Sequence, residues 1–226
     1  MTDGTRSAPA RLRGPAVMLA ALVGLLVVLG AGGRGVAPPH ARGLHGTRLP
    51  PELAGSPAFA FDLPDARGGR VASAALRGRP YALTFLYSRC PDVCPLIGQE
   101  LKAALRALGS DAARVAVVGV SVDPRGDTPA AVRRWLRRQG QPANFHYAIG
   151  TERELRATWA AYFAAPQLSG RPDTSTHTAA VWLVDARGDL RTKYAAGTPM
   201  PPADLASDLQ ALLAEARRAG ATKEPT

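Results

Sequence analysis

Cysteine is almost absent from this chain: Cys90 and Cys94 are the only two in 226 residues. A disulfide-stapled scaffold is therefore excluded, and a chain of this length can build a core without one. Acidic residues are also few, 18 against 28 basic ones, which leaves a net charge of +10. Such a balance would suit nucleic acid. The arginines are scattered among Ala and Gly, however, with no aromatic–basic stripe and no zinc-finger or helix-turn-helix pattern. Nucleic acid is not an expected partner. Charge is missing altogether from Pro15 to Gly33. The length of that run is near the roughly 20 residues that span a bilayer. Arg6, Arg11 and Arg13 precede it, which favours a cytoplasmic N-terminus and an exported remainder. A cleaved signal peptide competes, because Gly35-Val36-Ala37 resembles a cleavage site. No cysteine lies in or just after the run, which argues against a lipidated anchor. The expectation is a single-pass anchor in the cell membrane.

The expected organisation follows from these features. Residues 1–13 form a cytoplasmic N-terminus and 14–33 the transmembrane anchor or signal segment. Residues 34–56, rich in Pro, Gly and Arg, read as a linker. The folded domain covers 57–219, and 220–226 is a polar tail. His40 and His45 fall in the linker and read as solvated.

Within the domain, Phe59 to Leu63 and Arg70 to Ala74 read as a hairpin across a Gly-bearing turn. Tyr81 to Tyr87 is an apolar strand, and Pro95 to Leu108 a helix with Leu at helical spacing. Val115 to Val122 is a continuous apolar run, as expected of a strand covered on both faces. A helix opens at Asp127-Thr128-Pro129, with Asp127 or Thr128 as its cap. Phe145 to Ile149, Ala179 to Val184 and Leu190 to Tyr194 read as strands; Glu152 to Phe163 and Pro202 to Ala219 read as helices. His146 lies mid-strand and reads as structural. The alternation predicts an α/β fold with a mixed central sheet, flanking helices and an N-terminal β-hairpin. Its order suits a thioredoxin-like core with an insertion after the second core strand.

Chemistry concentrates at Leu86-Tyr87-Ser88-Arg89-Cys90-Pro91-Asp92-Val93-Cys94-Pro95. Two thiols lie where a strand passes into a helix, whose positive N-terminus favours thiolate. Pro95 is expected at the first helical position, after a tight turn over Cys90 to Val93. A disulfide between cysteines four apart closes so short a loop that it would be a poor staple. The pair could close a disulfide or chelate one soft metal ion. Thioredoxin-like sites usually space their cysteines Cys-x-x-Cys; here the spacing is Cys-x-x-x-Cys. Asp123 follows the end of one strand and His177 precedes another, so both fall at the same sheet edge as the cysteines. Asp123 can cap a turn or orient a ligand or partner. Tyr87 and Arg89 flank the thiols.

Three motifs in order resemble the Sco/SenC family of copper proteins. They are Cys90-Pro91-Asp92-Val93-Cys94-Pro95, Ser121-Val122-Asp123-Pro124 with Asp127-Thr128-Pro129, and Thr176-His177-Thr178. The resemblance covers about residues 57 to 217 and includes the anchored N-terminus. It implies a thioredoxin-like fold binding one copper per chain, as Cu(I) or Cu(II), through Cys90, Cys94 and His177. It implies delivery of that copper to the dinuclear site of cytochrome c oxidase subunit II, with another protein as copper donor. Two alternatives stay open: a thiol–disulfide oxidoreductase that reduces the cysteines of that subunit through Cys90 and Cys94, and a redox or copper sensor.

Overall fold

A computed structural model describes residues 43–167, 180–195 and 199–221, the side chain of 221 excepted. The segments 1–42, 168–179, 196–198 and 222–226, the second of which includes His177, lie outside the described residues. So do His40 and the expected anchor at 14–33. Among the described residues no helix is long and apolar enough to cross a membrane.

The elements run β1 (Asp62–Pro64), β2 (Arg70–Ala72), β3 (Tyr81–Leu86), α1 (Val93–Ala107), β4 (Ala116–Ser121), α2 (Pro129–Gln139), β5 (Phe145–Ala148), α3 (Glu152–Ala161), β6 (Val181–Val184), β7 (Leu190–Tyr194) and α4 (Pro202–Ala221). Short 3-10 turns cover Ser73–Leu76 and Gly109–Arg114. One five-stranded sheet has the order β5-β4-β3-β6-β7. β3 pairs in parallel with β4, and β4 with β5; β6 runs antiparallel to both β3 and β7. The sheet is mixed, as the alternation predicts. β5 and its neighbouring helix are the insertion after the second core strand. The hairpin β1–β2 is also present, with Leu63 opposite Val71.

Every residue of β3 and β4 is buried. This explains why both read as unbroken apolar runs rather than alternating ones. Neighbouring side chains on β3 leave on opposite faces. Leu86 lies beside Gly119 with Phe145 and Tyr147, and Trp135 of α2 packs on those two rings. On the other face Phe85 meets Tyr162, which follows α3 and also stacks edge-on to Trp182. Helix α2 starts as its sequence says it should. Thr128 is the N-cap, accepting from the Ala131 N–H at 3.2 Å, Pro129 opens the helix, and Gly140 closes it in the left-handed conformation. Helix α3 carries a full capping box between Thr151 and Glu154.

Residues 43–56 depart from the linker reading. The Thr47 N–H donates to the Lys193 carbonyl (2.7 Å), the Leu190 N–H to Ser56 (2.8 Å) and the Ala58 N–H to Gly188 (2.8 Å). Leu49 is buried. The carboxylate of Asp208, on α4, accepts from the backbone N–H groups of His45 and Gly46 and from the Tyr194 hydroxyl. β7 is an outer strand, so its free backbone groups need partners. Residues 43–58 supply them without forming a regular strand, and their Pro and Gly content therefore resembles a linker. The opposite outer strand, β5, is covered as well. The Ala66 N–H donates to Tyr147, the Ile149 N–H donates to Pro64, and Arg67 reaches the Phe145 carbonyl.

Candidate metal centre

The chain leaves β3 at Leu86 and turns over Tyr87 to Cys90, where the Cys90 N–H donates to the Tyr87 carbonyl at 3.1 Å. Helix α1 then begins at Val93. Both facts correct the expected local structure, which put the turn at Cys90 to Val93 and the helix start at Pro95. The N–H groups of a helix's first turn have no partner inside the helix. Proline therefore loses nothing anywhere in that turn, and Pro95 sits third rather than first. Cys94 is thereby drawn into the helix. Its unpaired backbone N–H donates to Cys90 Sγ at 3.4 Å. The side chain of Asp92, at the N-cap, caps nothing; the Cys90 sulfur does that work instead.

Both cysteines are free and buried. The Cys90 thiol is lowered to about 5, first by a hydrogen bond from the Cys94 thiol. Burial opposes the shift, while the backbone N–H groups of Asp92 and Cys94 and the Tyr87 hydroxyl reinforce it. The Cys94 thiol is pushed up, because its proton is held against Cys90, because it is buried, and because the Cys90 charge lies beside it. The pair thus keeps one proton between two sulfurs at neutral pH. Burial and the neighbouring sulfur also push up the Tyr87 phenol.

Two buried carboxylates hold this loop. Asp123, at the end of β4, accepts Arg89 Nε (3.0 Å) and Nη2 (2.7 Å) on Oδ2. Its Oδ1 accepts the Gly126 N–H at 2.8 Å. Asp123 is 1% exposed, so the Arg89 fork is the main charge that balances it. Asp127 accepts the Ser88 N–H (2.7 Å), the Ser121 hydroxyl (2.6 Å) and the Tyr147 hydroxyl (3.1 Å). Burial pushes its carboxyl up despite those three donors. Asp127 therefore joins the ends of β3, β4 and β5. Between the two acids, Gly126 has no room for a side chain: a Cβ there would overlap Asp123 Oδ2 and the Arg89 guanidinium.

Outside the loop lies a cleft of about 420 Å³. It is lined by Ser88, Arg89, Cys90 and Gly126 together with Ala131, Arg134 and Arg138 of α2. Cys94 does not reach it. Of the two cysteines, Cys90 is the one that lines the cleft.

The structure brings Cys90 and Cys94 together and joins Asp123 to their loop through Arg89. His177 lies outside the described residues, and among those residues no three His, Cys, Asp or Glu side chains are placed to hold a metal ion. His146 donates or accepts at 2.8 Å with the buried Asp65, consistent with a structural place. His45 Nδ1 lies 3.7 Å from Asp204. Sequence reasoning named Asp127 only as a possible helix cap and motif residue and missed its inward role. Its signal was available: Asp127 and Thr128 compete for one cap, and Thr128 takes it, which frees Asp127 to turn inward.

A family model described as SCO1/SenC matches residues 52–214. Protein SenC of Rhodobacter capsulatus is 28% identical over 177 residues, which is 75% of this chain and 78% of that one. ScoI of Bradyrhizobium japonicum with copper bound is similar at a TM-score of 0.60 and 29% identity, over 70% of this chain and 99% of the other. Apo Sco1 of Thermus thermophilus has a TM-score of 0.62 at 29% identity, over 76% of this chain and 98% of its own. Against the SCO2-like proteins of Rickettsia the chain spans only 40% to 64% of their length.

Proposed function

The chain belongs to the SCO1/SenC family, and from that premise we propose that it is a membrane-tethered copper chaperone. Cys90, Cys94 and His177 hold one copper ion, which passes to the dinuclear site of cytochrome c oxidase subunit II. The observation that carries this reading is the free thiol pair at the start of α1, where the Cys94 N–H and the Tyr87 hydroxyl both stabilise a Cys90 thiolate. Two sulfurs are soft donors and fit Cu(I); an imidazole completes a trigonal set and, with a fourth ligand, suits Cu(II). Few ligands and an open side suit an ion that must leave again. Arg89 and Asp123 hold the loop so that Cys90 faces the cleft and Cys94 stays behind it. The copper-bound ScoI of Bradyrhizobium japonicum supports the cargo. The uncharged run from Pro15 to Gly33 supports the tether, with the domain on the extracytoplasmic side.

The test is copper stoichiometry and the visible spectrum of the full-length chain, for wild type, His177→Ala and Cys94→Ser. One copper per wild-type chain is expected, with a thiolate-to-Cu(II) band that both variants lose. Equal copper retention by His177→Ala would overturn the three-ligand site.

The asymmetry of the cysteines favours a second reading, reduction of the cysteines of the same subunit. Cys90, lowered and facing the cleft, is suited to attack a disulfide, and Cys94, buried and raised, to resolve the mixed disulfide. In that case Cys90→Ser abolishes turnover and His177→Ala leaves it intact.

A further inference from the structure

Helix α2 carries Arg133, Arg134, Arg137 and Arg138 and no acidic residue between Pro129 and Gln139. Arg133 turns to the Ala66 carbonyl at 3.0 Å. Arg134 and Arg138, one turn apart, line the cleft that also holds Cys90. Among the described residues neither has a carboxylate partner. Asp123 and Asp127 are buried and committed elsewhere, Asp123 to Arg89 and Gly126, Asp127 to Ser88, Ser121 and Tyr147. Like charges one turn apart repel each other.

We propose that this cleft is the docking site for an acidic protein surface, whose carboxylates Arg134 and Arg138 receive while Cys90 faces the partner. The proposal rests on the copper-transfer reading and names the chemistry of the acceptor. A guanidinium pairs with a carboxylate through two parallel N–H donors, which fixes orientation as well as attraction. Seated on α2, the partner lies against the cleft that Cys90 lines. The cleft is concave and about 420 Å³, large enough for protruding side chains. A flat bilayer surface does not enter such a recess. Charges of this kind at an interface act mainly on the rate of encounter and on its salt dependence.

The experiment uses the full-length chain in nanodiscs of neutral lipid, with the soluble domain of cytochrome c oxidase subunit II as probe. Arg134→Glu/Arg138→Glu is compared with Arg137→Glu/Arg153→Glu, which makes the same change in net charge at exposed positions outside the cleft. Association of the wild type should weaken with salt. The cleft variant should bind about tenfold more weakly or worse at low salt and lose most of the salt dependence. The control pair should bind as the wild type does. Equal weakening in both variants, no weakening in either, or no association of the wild type overturns the proposal. So does binding that appears only when anionic lipid is added to the discs. Copper per chain is counted in every sample, so failure of the copper reading shows as empty wild type, independently of the binding result.

Discussion

The guanidinium of Arg89 lies across the backbone at Gly126 to reach Asp123, with Nε at 3.0 Å and Nη2 at 2.7 Å from one carboxylate oxygen. One end of this pair belongs to the cysteine loop and the other to the loop after β4. The glycine between them is what lets the two loops close.

Gly126→Ala should break that closure, since its Cβ would overlap both partners. Overpacking of this kind costs about 1–3 kcal/mol. Urea denaturation should show the loss, and Cys90 should react faster with iodoacetamide as its loop loosens. Unchanged stability with unchanged reactivity would count against a closed loop.

Asp127→Ala leaves the Ser88 N–H and the Ser121 and Tyr147 hydroxyls without their acceptor. Unmet buried donors cost about 1–3 kcal/mol each, so a loss of about 3 kcal/mol or more is expected. Hydrogen exchange of the Ser88 amide should rise with it. A variant as stable as the wild type would remove Asp127 from its place at the three strand ends.

The thiol pair should titrate unequally. Thiolate absorbance in the metal-free, reduced chain should appear with a midpoint near 5, and it should belong to Cys90. Cys94→Ala removes the leading hydrogen bond and should move that midpoint upward. At pH 7.5 the wild type holds one thiolate and one thiol. Loading Cu(I) needs both sulfurs deprotonated, so it should release about one proton, from Cys94. Calorimetry in buffers of different ionisation enthalpy measures the number. Release of two protons would mean that Cys90 is not a thiolate at that pH.

Asp65 gives a pH dependence of stability. Burial alone would raise its carboxyl, but hydrogen bonds from His146 and from the Arg67 and Tyr147 N–H groups outweigh it, and the result lies below the ordinary value of 3.8. A carboxyl lowered in the fold stabilises the fold above its unfolded value, and that contribution fades as pH falls through the folded one. The stability gap between wild type and Asp65→Asn should therefore be widest near neutrality and close below about pH 4. A gap independent of pH would show that the Asp65 charge is not what His146 and the backbone hold.

The strands and helices were legible because their signals are local. Val115 to Val122 had to be covered on both faces, and Thr128-Pro129 had to open a helix. The cysteine pair was legible for a similar reason, since thiols between a strand and a helix have few other uses. What stayed hidden depends on contacts distant in sequence. Asp208 meets His45 and Gly46 across more than 160 residues, and no pattern near residue 45 announces that partner. Nor could the sequence show that α1 begins at Val93, because proline is tolerated throughout a first turn. That difference of two residues turns the Cys94 N–H toward Cys90, where it adds to the thiol–thiol hydrogen bond that makes the two sulfurs unequal.

Both outer strands of the sheet are covered, β7 by residues 43–58 and β5 by Pro64, Ala66 and Arg67. An open strand edge is a template on which another chain can add a strand of its own. Along this sheet, among the described residues, a stray chain meets outer strands that already have backbone partners. Association is left to side chains, and therefore to surfaces that can be selective.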